Sequence, residues 1–167
     1  LNNVNDVFAN TEFTIFKNIL EANGQINCIV VKNAADKFSR KDCDKLTEFV
    51  KIYGAKALSY LKYSNNEWAG SINKVVSDEE KAALATKLNI ENNDMIFMVA
   101  DKVKVSQAAM GALRLKLGRD LGLIDESKFN FLWVTNFPMF EYVEDEDRYV
   151  AAHHPFTSPN LEDVDKL

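Results

Sequence analysis

The sequence predicts an α+β fold, a two-layer sandwich of a mainly antiparallel sheet with helices on one face, and three observations carry that reading. Two apolar runs, residues 26–31 and 95–100, have the length and side-chain type of strands. Ser39-Arg40-Lys41-Asp42 and Ser77-Asp78-Glu79-Glu80 have capping-box spacing, in which a serine oxygen and an acid three residues on satisfy amides that a helix start leaves unpaired. Residues 103–121 repeat Met110, Leu113, Leu117 and Leu121 at helical spacing. Strands alternating with capped helices over short links pack as a sheet against helices.

In chain order, residues 12–20 are compatible with a strand through Phe13, Ile15 and Ile19, or with a helix towards Leu20. Asn23-Gly24 marks a turn before the strand at 26–31. After the first capping box, Leu46, Phe49, Val50 and Tyr53 fall at i, i+3, i+4 and i+7, giving a helix with one buried face that ends at Gly54. Residues 57–63 read as a strand of uncertain register, Leu58, Tyr60 and Lys62 facing one way. The second capping box opens a helix carrying Ala83, Leu84 and Leu88, its early acids suiting the positive helix start. Gly122 closes the long helix.

A boundary is expected at 124–128, dividing the chain into domains 1–124 and 125–167. Beyond it, Phe131, Leu132, Trp133 and Val134 form a run apolar enough for a strand buried on both faces. The acidic turn Glu144-Asp145-Glu146-Asp147 separates 140–143 from 148–152, which suggests a hairpin.

With 47% apolar residues in 167, the chain can fill a core, and disorder is not expected. Its 25 acids against 20 bases give a net charge of −5, so bulk electrostatics do not announce a nucleic-acid binder. No apolar run reaches the roughly 18 residues of a membrane helix, and the first residues lack the basic and apolar regions of a signal peptide. A cytoplasmic location is expected, with Cys28 and Cys43 as reduced packing thiols. The missing initiator methionine and the acidic C-terminus read as an internal piece of a longer chain.

Few residues advertise chemistry. His153-His154 precedes Pro155-Phe156-Thr157, and imidazoles on a stiffened loop can hold an anion or a metal, while two solvent-facing side chains at a hairpin end are the simpler explanation, since two adjacent histidines without partners specify no reaction. No set of three converging ligands suggests zinc, and no metal site is expected. Lys102, Lys104, Arg114, Lys116 and Arg119 surround the long helix with no acid among them before Asp120, so they suit RNA phosphates or form a solvated face paired with acids elsewhere. Lys41, Lys45 and Lys51 have Asp42, Asp44 and Glu48 beside them to neutralise them. Gly111, Gly118 and Gly122 do not match a dinucleotide fingerprint, and no serine sits in a nucleophile elbow.

Three stretches together resemble one family. They are Glu48-Phe49-Val50-Lys51-Ile52-Tyr53-Gly54-Ala55-Lys56-Ala57-Leu58, then Gly111-Ala112-Leu113-Arg114-Leu115-Lys116-Leu117-Gly118-Arg119-Asp120-Leu121-Gly122-Leu123, then Trp133-Val134-Thr135-Asn136-Phe137-Pro138-Met139-Phe140-Glu141 with His153-His154-Pro155-Phe156-Thr157. Their order and spacing are similar to those of bacterial-type aspartyl-tRNA synthetases. The first two resemble the GAD insertion domain, also found in an amidotransferase that corrects misacylated tRNA, and the third resembles the class II catalytic domain resuming after it as a fragment of an antiparallel sheet.

The resemblance implies a parent enzyme, an aspartate-tRNA ligase, that joins aspartate to tRNA through an aspartyl-adenylate, with ATP and Mg2+ as cofactors, tRNA, aspartate and ATP as partners, and a homodimeric state. It implies that His153 and His154 help hold substrate anions in that parent, His153 foremost. It also implies that Lys102, Lys104, Arg114, Lys116 and Arg119 lie where the tRNA acceptor arm could meet them. The family's dimer-forming motif, its ATP-binding arginine motif, its glycine-rich arginine motif and its aspartate-binding lysine and arginine are not matched in these residues. The piece alone is therefore expected to contain no catalytic residues, to bind no cofactor and to be inactive. A free-standing tRNA-binding module of the amidotransferase type is the alternative.

Overall fold

The computed structural model describes residues 1–135, 137–152, 158 and 160–166. Contacts divide the chain into two compact units, Leu1–Asp125 and Glu126–Leu167. The first unit is built on a five-stranded antiparallel sheet in the order β1-β2-β5-β3-β4, from β1 (Asn2–Asn3), β2 (Gln25–Val31), β3 (Ser59–Ser64), β4 (Glu67–Gly70) and β5 (Asp94–Asp101). The four helices are α1 (Thr14–Glu21), α2 (Arg40–Lys51), α3 (Asp78–Leu88) and α4 (Val103–Asp120).

β5 is the middle strand, pairing with β2 from Gln25↔Asp101 to Val31↔Met95 and with β3 from Ser59↔Met98 to Tyr63↔Asp94. Every residue of β5 except Ala100 is buried. Because successive side chains point to opposite faces, Met95, Phe97 and Val99 join one core with Val50 of α2 and Met110, Leu113 and Leu117 of α4. Ile96 and Met98 join a second core with Phe16 of α1 and Leu84 and Leu88 of α3. The α+β class and the mainly antiparallel sheet are as expected, but the sheet carries helices on both faces. A strand apolar on both sides needs cover on both, and residues 4–16 with α1 and α3 supply the second layer.

Both capping boxes form. Ser39 Oγ accepts from the Asp42 N–H at 3.2 Å while the Ser39 N–H donates to Asp42 Oδ2 at 3.1 Å. Ser77 Oγ accepts from the Glu80 N–H at 3.1 Å while the Ser77 N–H donates to Glu80 Oε2 at 2.7 Å. Residues 14–21 resolve as helix, because Phe13, Phe16 and Leu20 at i, i+3 and i+7 turn towards the second core, while Ile15 is exposed. Leu46 and Val50 of α2 are buried as expected, but Tyr53 lies past the helix end at Lys51 and is 41% exposed, the chain turning away at Gly54 with φ +87°.

The β3–β4 hairpin was not foreseen. Its two-residue loop, Asn65-Asn66, has φ of 54° and 61°, the paired positive values of a type I′ turn, which asparagine tolerates. Gly70, at φ +139°, ends β4 where an added Cβ would stand 2.3 Å from the Tyr60 carbonyl oxygen. A buried polar pair fixes α4 on the sheet: Asn27 Nδ2 donates to Ser106 Oγ at 3.0 Å, and Ser106 Oγ donates to the Val99 carbonyl at 3.1 Å.

In the second unit, β6 (Phe140–Val143) and β7 (Arg148–Ala151) form the expected antiparallel hairpin around a 3-10 turn at Glu144–Glu146. Tyr142 and Tyr149 pair across it with ring centroids 5.2 Å apart. The strand expected at 131–134 is absent: Phe131 is 96% and Trp133 94% exposed, without regular structure. A strand needs ladder partners for its amides, and among the described residues β6 and β7 pair only with each other.

Asp94, 1% exposed, binds three donors: Lys32 Nζ at 2.8 Å, the Asn33 N–H at 3.0 Å and the Glu91 N–H at 2.8 Å. Burial alone would raise its pKa, but the Lys32 ammonium and the two amides outweigh that and hold it below the usual carboxylate value. A depressed folded-state pKa contributes stability above the unfolded value of about 3.9, lost as pH falls through the lower folded value. Asp94→Ala should therefore lower unfolding stability by about 2 kcal/mol at neutral pH, since two amides lose a buried acceptor. The wild-type advantage should shrink in urea titrations carried below about pH 4.

Candidate nucleic-acid interface

The basic positions depend on how α4 sits. Met110, Leu113 and Leu117 face the sheet and are fully or almost fully buried, so the opposite side looks outward. Lys102 precedes the helix as its N-cap residue, and Lys104, Arg114 and Arg119 are exposed on it. At about 100° and 1.5 Å per residue, Arg114, Lys104 and Arg119 fan over roughly 140° of the circumference, and Lys104 lies about 22 Å along the axis from Arg119. The five basic residues therefore do not form one compact patch: Lys102 and Lys104 mark one end of α4, Lys116 and Arg119 the other.

Lys116 is half-buried. Its Nζ contacts Asp120 Oδ2 at 2.9 Å and lies 5.4 Å from the centre of the Phe49 ring. On α2, Lys51 pairs with Glu48 at 2.7 Å and Lys45 with Asp42 at 3.5 Å, the local neutralisation the sequence suggested.

Where the C-terminal end of α2 passes α4, an open groove of about 670 Å³ forms. Phe49 and Tyr53 make one wall, their rings 5.4 Å apart, Ala108, Gly111 and Ala112 lie along α4, and Lys116, Arg119 and Asp120 stand at its end. An added Cβ at Gly111 would meet nothing within 4 Å. Lys116 and Arg119 are legible in the sequence but this wall is not, because Phe49 and Tyr53 both fit the buried stripe of α2. The exposure of Tyr53 follows from where the helix stops.

His153 and His154 lie outside the described residues. Among the described residues no three His, Cys, Asp or Glu side chains come together to hold a metal, and no helix is long and apolar enough to cross a membrane. Both cysteines are buried, Cys28 against the α1–α3 side of the sheet and Cys43 on α2.

The sequence matches the family described as the GAD domain over residues 16–110, more than half of the chain. The chain belongs to the GAD domain family. The matched segment of this GAD domain runs from α1 into the middle of α4 and includes the first of the three stretches that suggested the family. Similarity continues beyond it. An aspartate–tRNA ligase of Oceanobacillus iheyensis is 50% identical over 164 residues, 98% of this chain and 28% of the relative. One of Staphylococcus haemolyticus is 48% identical over 167 residues, all of this chain and 28% of the relative. An aspartate–tRNA(Asp/Asn) ligase of Bacillus cereus is 50% identical over the same length and share. The chain thus spans 28% of the length of these curated relatives, and the resemblance to bacterial aspartyl-tRNA synthetases drawn from the three stretches is borne out.

Burial pushes the Cys28 thiol up to about 12, and burial with the nearby Asp42 and Asp44 pushes Cys43 up to about 11. The thiolate is the nucleophile, so both should resist a disulfide reagent such as Ellman's at pH 8 in the folded GAD domain. Two thiols per chain should be released on denaturation.

Proposed function

We propose that this chain works within an aspartate-tRNA ligase, as its GAD insertion domain with an adjoining piece of catalytic domain, and that it contacts tRNA there. One observation carries the ligase part: identity near 50% runs through the whole chain, past residue 110 where the GAD match ends, into the hairpin unit that a free-standing GAD module would not need. In this reading the full gene product is cytoplasmic and homodimeric, and it joins aspartate to tRNA through an aspartyl-adenylate with ATP and Mg2+. The GAD domain is an accessory to that chemistry, since the motifs expected to bind ATP and aspartate are not matched in these residues. His153 and His154 help hold substrate anions in the complete pocket, where a charged imidazole suits a carboxylate. The division into an insertion domain at 1–124 and catalytic sequence at 125–167 belongs to the same proposal.

The tRNA contact is assigned to the basic residues Lys102, Lys104, Arg114, Lys116 and Arg119. Phosphate contacts position a nucleic acid without reading its sequence. Cations spread along about 22 Å of helix suit a backbone rather than a small anion.

Aspartate-dependent pyrophosphate exchange separates enzyme from accessory. The full gene product should exchange pyrophosphate, the 167-residue chain should not, and turnover by the chain alone would reject the accessory role. In the full gene product, alanine at Lys102, Lys104, Arg114 and Lys116 should weaken tRNA binding. It should also flatten the dependence of log K on log salt by roughly one unit for each phosphate that is no longer neutralised. Unchanged affinity and slope would remove the tRNA contact while leaving the ligase assignment standing.

A further inference from the structure

The groove between α2 and α4 is a different kind of surface from the scattered cations. Its walls are largely apolar and aromatic, and both helices that build it are positive within a negative chain. α4 carries Lys104, Arg114, Lys116 and Arg119 against the single acid Asp120, and α2 carries four basic residues against three acids, while the whole chain stands at −5. Asp120, the acid in the groove, is paired with Lys116 at 2.9 Å, and Glu48 of α2 is paired with Lys51 at 2.7 Å. Arg119 is exposed at the same end.

We propose that this groove binds unpaired RNA nucleotides, with a base stacked on Tyr53 and the following phosphate met by Arg119. The inference deepens the tRNA-contact reading and rests on it. Three features support it. Tyr53 lines the groove and is 41% exposed, its ring 5.4 Å from Phe49 at a tilt of 59°, so aromatic surface is left accessible there; base stacking on aromatic surface needs no particular sequence. The cation beside the aromatic wall complements a phosphate, and the combination is what single strands use, whereas paired RNA hides its base faces. The floor at Gly111 is open, an added Cβ meeting nothing within 4 Å outside its own stretch of helix, which leaves room for a sugar to lie against the helix. Gln107, on the α4 side of the groove, donates its Nε2 to Gln25 Oε1 at 3.5 Å, and its amide oxygen can accept from a 2′-hydroxyl.

The test is fluorescence anisotropy of a labelled oligouridylate titrated with the 167-residue chain at low ionic strength, alongside an RNA duplex of equal length. The single strand should bind more tightly than the duplex. Tyr53→Ala should weaken it about tenfold and Tyr53→Phe should restore it, as loss and recovery of one stacked base require. Gly111→Leu should weaken binding by a similar factor while the thermal unfolding midpoint is kept or raised, because the new side chain enters open space in a helix. Equal affinity for strand and duplex, or wild-type affinity in both Tyr53→Ala and Gly111→Leu, would overturn the proposal, leaving charge alone. So would no binding by the wild-type chain. Pyrophosphate exchange and tRNA binding by the full gene product are read separately. Failure at the groove with those intact rejects the groove and not the parent assignment.

Discussion

The double-sided burial of β5 is the constraint from which the rest of the first unit follows. Six consecutive residues from Asp94 to Val99 are buried, so the strand must have a hydrogen-bonded neighbour on each edge and apolar cover on each face. β2 and β3 supply the edges, and the helix pairs α1 with α3 and α2 with α4 supply the faces. Buried acids at its ends then organise the loops. Asp94 accepts from the Asn33 and Glu91 amides, and Asp101 accepts from the Lys102 amide at 2.8 Å and the Lys56 amide at 3.4 Å. The acid that closes β5 thereby helps start α4, which lacks a side-chain cap of its own.

Elements with a local chemical signature were readable from sequence, and those decided by distant partners were not. Ser39 and Ser77 announce helix starts because the cap closes within four residues. The β3–β4 turn has an equally local signal in Asn65-Asn66 between Tyr63-Ser64 and Glu67-Trp68, but Glu67–Gly70 is too short and too little buried to stand out as a strand. Residues 12–20 stayed ambiguous because Phe13 and Ile15 fit a strand while Phe13, Phe16 and Leu20 fit a helix. The choice falls to the second core, where Phe8 and Phe16 meet edge to face at 4.9 Å. The second helix layer was also legible in principle, since the run 95–100 shows no polar alternation, which a sheet with one bare face would require.

Apolar composition alone does not make a strand, and the chain holds both halves of that comparison. Residues 95–100 and 131–134 are similarly apolar, yet the first run is central in a sheet and the second lacks regular structure. What differs is the supply of ladder partners. For the candidate site the limit is similar. The cations of α4 are visible in sequence because they need only their own helix, whereas the groove requires Tyr53 and Arg119, 66 positions apart, to be joined by the packing of α2 on α4.

The two interior glycines of α4 show where packing inside the chain stops explaining the helix. Each costs about 1 kcal/mol relative to alanine in a helix interior. At Gly118 the reason is internal: the chain returns over the helix, the Leu123 amide reaches the Gly118 carbonyl at 2.8 Å, and an added Cβ would press on Ile124 Cγ1 at 3.3 Å. Gly111 has no such neighbour. An added Cβ there would meet nothing within 4 Å outside its own stretch of helix, and the residue lines the groove with Ala108 and Ala112. The stripe of Met110, Leu113 and Leu117 belongs to the sheet, so the two glycines divide the helix: Gly118 answers to the returning chain, and Gly111 lies on the side turned to the open groove.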